Sequence, residues 1–235
     1  MRQLRNNDGF SLTEVLLALG TLAIGMIFIA GVFPVGLYFA TISTERTIAA
    51  VVADEAFAKV RLYGVNLKSA LWQVNPTVRS NSVSAMPLSE LAYPSTSSVP
   101  DKQYYWSALC RRVSADPNSR FVQVTVFVSR RIGSGPVPIA RQVAVLGAAG
   151  TKELTIQDPA KQTWINDGYT IVDNMTGQIY RVLERYGPPA DDTILLDLDR
   201  VWGAGNIPPN AVWVVPPVGG GRYPCIAVYQ KVIRF

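Results

Sequence analysis

The sequence of 235 residues contains no histidine. It therefore offers no His-based triad, no imidazole metal ligand and not the commonest general base at neutral pH. Cysteine is almost absent. Cys110 and Cys225 are too few and too far apart for a zinc finger or a disulfide-rich scaffold. They permit at most one bridge, and a Cys110–Cys225 disulfide stands open beside a pair of unpaired buried thiols. Charged residues are also sparse, at 17% against 49% apolar, which excludes a disordered chain and leaves enough apolar material for a core. A phosphate-cradling GxxxxGK[ST] loop is missing, and Gly219, Gly220 and Gly221 neither follow a plain strand nor open a helix, so the sequence points away from phosphate binding. The net charge of +5 is dispersed among Asp and Glu rather than gathered in a stripe. That pattern reads as solubility more than as a nucleic-acid surface.

The longest absence is of charge along residues 15–44, a run of 30. As a helix it extends about 45 Å at roughly 1.5 Å per residue, more than the ~30 Å bilayer core. A cleaved secretory signal has an apolar region of about 7 to 15 residues, so this segment is expected to stay in the mature protein. Arg2 and Arg5 precede it, and the positive-inside bias then predicts a single pass with a cytoplasmic N-terminus. Glu14 heads the apolar run. A carboxylate in hydrocarbon costs several kcal/mol unless neutralised or paired. Either it lies at headgroup level in a plain anchor, or it has a partner.

The order of residues here is specific: Gly9, Phe10, Ser11, Leu12, Thr13, Glu14, then Val15, Leu16, Leu17, Ala18 and Leu19. This segment resembles the prepilin signature of type IV pilins and type II secretion pseudopilins, a short charged leader ending in Gly before Phe, a fixed Glu and an apolar helix. The resemblance covers residues 1 to about 63. It implies that a prepilin peptidase cuts between Gly9 and Phe10 on the cytoplasmic face and that Phe10 becomes an N-methylated terminus. It further implies that Glu14 pairs with the Phe10 amine of a neighbouring subunit, so that two charges costly alone in lipid become tolerable together.

Pro34 and Gly36 are expected to kink or loosen the helix. Gly20, Gly25, Gly31 and Gly36 lie five or six apart, which is no GxxxG face but suits close packing in a helical array. Beyond Thr44 the pattern turns amphipathic, with Ile48, Val51, Val52, Phe57 and Val60 forming a packing face. One helix is thus predicted from Phe10 to about Tyr63, ended by Gly64.

Residues 75–100, rich in Ser and Pro, read as a loop. Strands are expected at 104–113, 121–128 and 142–146, the second placing Val122, Val124, Val126 and Val128 on one face and Phe121 and Phe127 on the other. Residues 168–172 and 178–183 read as a hairpin through Asp173 to Gly177, since Asn and Gly supply positive φ cheaply. Further strands are expected at 194–198, 211–215 and 226–235. The fold class is therefore α+β: a leader (1–9), a membrane and stalk helix (10–63), a pilin-like head with an antiparallel sheet (64–150) and a C-terminal all-β unit (151–235).

Some pseudopilins bind calcium through acidic loops, which draws attention to Asp191, Asp192, Asp197 and Asp199. Their spacing is not that of a calcium loop, and a solvated sheet face is the plainer reading. Two-carboxylate hydrolysis lacks a further acid at a defined cleft. No enzyme, metal or cofactor is expected. The expected role is a minor pilin or pseudopilin subunit of a type IV pilus or type II secretion filament, anchored in the inner membrane with a periplasmic or extracellular head. Implied partners are the prepilin peptidase, sister subunits, an assembly platform and a cytoplasmic assembly ATPase. Two rivals remain: a DNA-uptake minor pilin holding phosphates with Arg111, Arg112, Arg130 and Arg131, and a signal-anchored ligand-binding protein that never polymerises.

Overall fold

The computed structural model describes residues 11–65, 79–80, 86–95, 102–133 except 115 and 117, 135–187, 193–203, 210–218 and 223–235. The chain divides into two compact units, residues 1–45 and 46–235. The helix α1 (Leu12–Tyr63) contributes to both. In the first unit α1 is continuous through Pro34 and Gly36. Its end is as expected: Gly64 adopts φ +73° and its N–H donates to the Val60 carbonyl at 3.0 Å, a conformation open to Gly at little cost.

In the second unit, the antiparallel strands β1 (Arg79–Ser80), β2 (Ala92–Tyr93), β3 (Tyr104–Arg112), β4 (Phe121–Arg130) and β11 (Cys225–Arg234) form one sheet. Its path runs β1-β3-β4-β11, with β2 pairing on β3. The remaining strands are β5 (Arg141–Leu146), β6 (Glu153–Ile156), β7 (Thr170–Asp173), β8 (Ile179–Tyr186), β9 (Ile194–Leu198) and β10 (Ala211–Val214). They close into an antiparallel barrel in the order β10-β5-β6-β9-β8-β7. The two β layers do not divide at residue 150 as expected. β5 enters the barrel from before that point, and β11 leaves the C-terminal stretch to pair with β4. The barrel is therefore an insertion between two neighbouring strands of the first sheet.

Period-2 alternation explains the packing. Val122, Val124, Val126 and Val128 are fully buried against Ala49, Val52, Ala53, Ala56 and Val60 of α1. Phe127, on the opposite face, joins Leu109, Val172, Trp213 and Val215 in the layer between sheet and barrel. Phe121 shares that face by alternation but is 50% exposed at the strand start. The helix stripe differs from the expected one at Val51, which is half exposed, while alanines take its place. Small side chains at 49, 53 and 56 let the helix approach a sheet face already filled by valines.

The barrel interior alternates in the same way: Val143 and Val145, Leu154 and Ile156, Tyr180 and Val182, Leu196 and Leu198, Val212 and Val214 are all buried. Trp202 packs against this core, its ring 5.0 Å from that of Tyr180. The predicted hairpin is present. Asp173 accepts from the backbone N–H groups of Met175 (3.0 Å) and Thr176 (2.8 Å), and Gly177 has φ +70°. Two residues of the first sheet hold this turn from outside: Arg111 donates to the Thr176 carbonyl at 2.5 Å, and Gln230 donates to the Gly177 carbonyl at 2.8 Å.

Candidate functional site

In the first unit the helix is apolar on every side. Leu17, Ile27 and Phe28 are about seven-tenths exposed, and the other large apolar side chains from Leu12 to Phe39 are exposed as well. The most apolar 18-residue stretch of α1 is wholly unburied, and its length and composition suit a membrane anchor or a signal sequence. A helix apolar all round belongs in a large core or in lipid.

The polar groups along it are satisfied locally. Thr21, Thr41 and Thr44 donate their hydroxyls to the carbonyls of Ala18, Leu37 and Ala40 at 2.8 to 2.9 Å. Such back-bonding lets a hydroxyl sit in hydrocarbon without an outside partner. Four glycines and one proline interrupt the same stretch. A Cβ placed at Gly20, Gly25, Gly31 or Gly36 would meet nothing within 4 Å. Each helical Gly costs about 0.5–1 kcal/mol relative to Ala, and no contact among the described residues requires one.

Glu14 stands in the first turn of α1, its N–H donating to the Ser11 carbonyl at 3.0 Å. A carboxylate there is favoured by the helix dipole. Among the described residues Glu14 has no cationic partner. Gly9 and Phe10, the expected cleavage junction, lie outside the described residues.

In the second unit the four arginines of the nucleic-acid reading are not brought together. Arg111 pairs with Gln123 across the ladder and Arg130 with Tyr104, at opposite ends of the β3–β4 pair. Arg112 is 3% exposed, and Arg131 donates to the Gly135 carbonyl at 3.0 Å. Burial pushes the Arg111 guanidinium below its ordinary value, with Asp173 opposing that fall.

The cysteines are unbridged and lie in different packing layers, Cys110 with α1 and Cys225 between sheet and barrel. The ladder explains why. Cys110 opposes Val124 and Cys225 opposes Ser129, so the two are five positions apart along β4, about 16 Å, and on opposite sides of it. A disulfide needs Cα atoms within about 7 Å. Burial pushes both thiols up to about 12.

Asp191 and Asp192 lie outside the described residues. Asp197 sits on β9 between Glu153 and Glu184, while Asp199 accepts the Arg181 N–H at 3.0 Å and pairs with Arg200 at 3.1 Å. No group of metal-ligating side chains is assembled among the described residues.

Two features went unread in the sequence. Lys59, on the sheet-facing side of α1, is 8% exposed and bridges Glu55 at 3.0 Å and Glu90 at 2.9 Å. The second is a cavity of about 250 Å³ whose wall includes Arg46, Arg181, Thr170 and Tyr223. Its residues are spread over most of the chain, so only folding assembles them. Comparison with known protein families, with curated proteins and with solved structures finds no match.

Proposed function

We propose that the protein is a pilin-like subunit, a minor pilin or pseudopilin, that is held in a membrane by its N-terminal helix and then packed by that helix into a filament. The observation that carries this reading is the lone carboxylate of Glu14 at the head of a 30-residue uncharged run of the helix, without a cation among the described residues. A charge at that position is retained at a cost unless it meets a positive group on another molecule.

Cleavage after Gly9 supplies such a group, the Phe10 α-amine. Pairing this amine with Glu14 of a sister chain fixes the axial offset, and burial of the apolar helix surface against sister helices drives association. The unfilled space around Gly20, Gly25, Gly31 and Gly36 supports the same reading, because backbone surfaces free of side chains permit neighbours to approach closely. The partners in this scheme are the prepilin peptidase, sister subunits, the membrane platform and its cytoplasmic ATPase.

Mass spectrometry of the mature N-terminus tests the reading. A chain beginning at methylated Phe10 is the expected result. A mature chain that keeps residues 1–9 refutes it and favours the signal-anchored protein that does not polymerise.

A further inference from the structure

We propose that the cavity between α1, the barrel and β11 is a binding site for a phosphate group, held by the guanidinium groups of Arg46 and Arg181. Three elements of the second unit converge on it, and each contribution has a structural cause. Tyr180 and Val182 point into the barrel core, so Arg181 between them points out. Thr170 is the direct cross-strand neighbour of Arg181 and shares that outer face. Arg46 precedes the sheet-facing Ala49 by one helical turn and so stands at the margin of the helix–sheet contact.

The third wall is β11, where the register against β4 shifts between Cys225 and Ala227 and leaves Ile226 as the extra residue of a bulge. Bulges of this kind re-aim a strand beside functional sites. Tyr223 locks the wall to the barrel, its hydroxyl accepting from the Thr170 N–H at 3.1 Å and donating to the Thr170 carbonyl at 3.2 Å, with its ring stacked on Tyr169 at 3.8 Å.

The charge balance is one-sided. Neither Arg46 nor Arg181 has an ion pair among the described residues, and no Asp or Glu lines the cavity. The adjacent acids have partners of their own: Asp167 accepts the Arg185 N–H at 2.6 Å, and Asp199 accepts the Arg181 backbone N–H at 3.0 Å with one oxygen and pairs with Arg200 through the other. Two guanidinium groups on one small cavity make an anion site, and their planar donor forks match phosphate oxygens. At about 250 Å³ the cavity is smaller than drug-sized ligand pockets, which suits a compact polar group. The lack of a Gly-rich loop in the sequence points away from phosphate binding, because it removes cradling by backbone N–H groups. Capture by side-chain cations is different chemistry.

The phosphate has two sources, a lipid headgroup or free phosphate. Arg46 follows the uncharged stretch by two residues. On the membrane reading above, and only there, headgroups are the nearest phosphates.

The test uses the full chain in non-ionic detergent, titrated with inorganic phosphate against chloride at constant ionic strength. Native mass spectrometry with short-chain phosphatidic acid and with diacylglycerol forms the second arm. Saturable phosphate binding is expected, weakened about tenfold or more in R46Q/R181Q, weakened less in R181K, which keeps the charge, and unchanged in R120Q. Circular dichroism confirms that each variant is folded. Retention of phosphatidic acid over diacylglycerol identifies the headgroup source, and phosphate binding without it identifies the free anion. No saturable binding, or equal binding by the wild type and R46Q/R181Q, overturns the proposal. Its failure leaves the filament reading intact, and an uncleaved N-terminus leaves the cavity result intact.

Discussion

Replacing Arg111 by Met separates a structural arginine from a nucleic-acid-binding one. The guanidinium donates to Gln123 Oε1 at 3.2 Å and to the Thr176 carbonyl at 2.5 Å, tying the first sheet to the barrel hairpin. Methionine keeps most of the apolar stem and removes both bonds. A hydrogen bond from a charged donor contributes about 1.5–3 kcal/mol when buried. Arg111 is only half-buried, so water replaces part of that loss and about 1–2 kcal/mol is expected. For a folded unit of this size, 1 kcal/mol corresponds to about 2–4 °C, giving a fall of roughly 2–8 °C in the thermal midpoint. The assay is near-UV circular dichroism of the detergent-solubilised chain, because Trp213 lies in the sheet–barrel layer and reports its opening. An unchanged midpoint together with weakened, salt-sensitive DNA retention would refute this reasoning and restore the DNA-uptake reading.

Other substitutions probe the core and the ion cluster. Gly147→Ala places a methyl group against Cδ2 of the fully buried Leu154, which must shift within the barrel core, so a loss of about 1–3 kcal/mol is expected in urea unfolding. Lys59→Ala leaves Glu55 and Glu90 facing each other on a partly buried helix flank. Losing one partner of a buried pair costs about 3–5 kcal/mol, and the exposure of both glutamates lowers the expectation to about 2–3 kcal/mol by urea unfolding. Both cysteine thiols are raised from 9.0 to about 12 by burial. Their contribution is therefore complete below pH 9 and is lost as pH rises toward about 12, where unfolding favours the thiolate. Thiol titration without reductant is expected to find two slow-reacting groups in the native chain and two fast ones after denaturation, whereas an intact bridge would give none.

Local periodicity made much of this architecture legible. The β9 strand matches its expected range, the valine face of β4 is buried as read, and the turn from Asp173 to Gly177 forms with Asp173 as its hydrogen-bond acceptor. What escaped was non-local. The pairing of Gln230 with Thr125 joins residues more than a hundred positions apart, and no local pattern says that β11 returns to β4 while six other strands close into a barrel. The short β6 (Glu153–Ile156) carries too little alternation to stand out. Val51 was misplaced because hydrophobicity favoured it over the alanines, yet room against a valine-covered sheet favours small side chains. The N-terminal segment carries a local pattern, Glu14, one uncharged run and a Gly-Phe junction, and the proposed filament role rests on it. The cavity has no such local pattern, since Arg46 and Arg181 meet only through the fold.

The central claim is that Glu14 is tolerated because another molecule's cationic terminus meets it. The direct measurement is the share of E14Q chains recovered in the sheared filament fraction when co-expressed with the wild type, with processing at Phe10 checked in the same sample. The account expects normally processed E14Q to stay in the membrane, at least about tenfold depleted from filaments, as loss of one partner of a desolvated pair entails. Incorporation of processed E14Q at wild-type levels would contradict it.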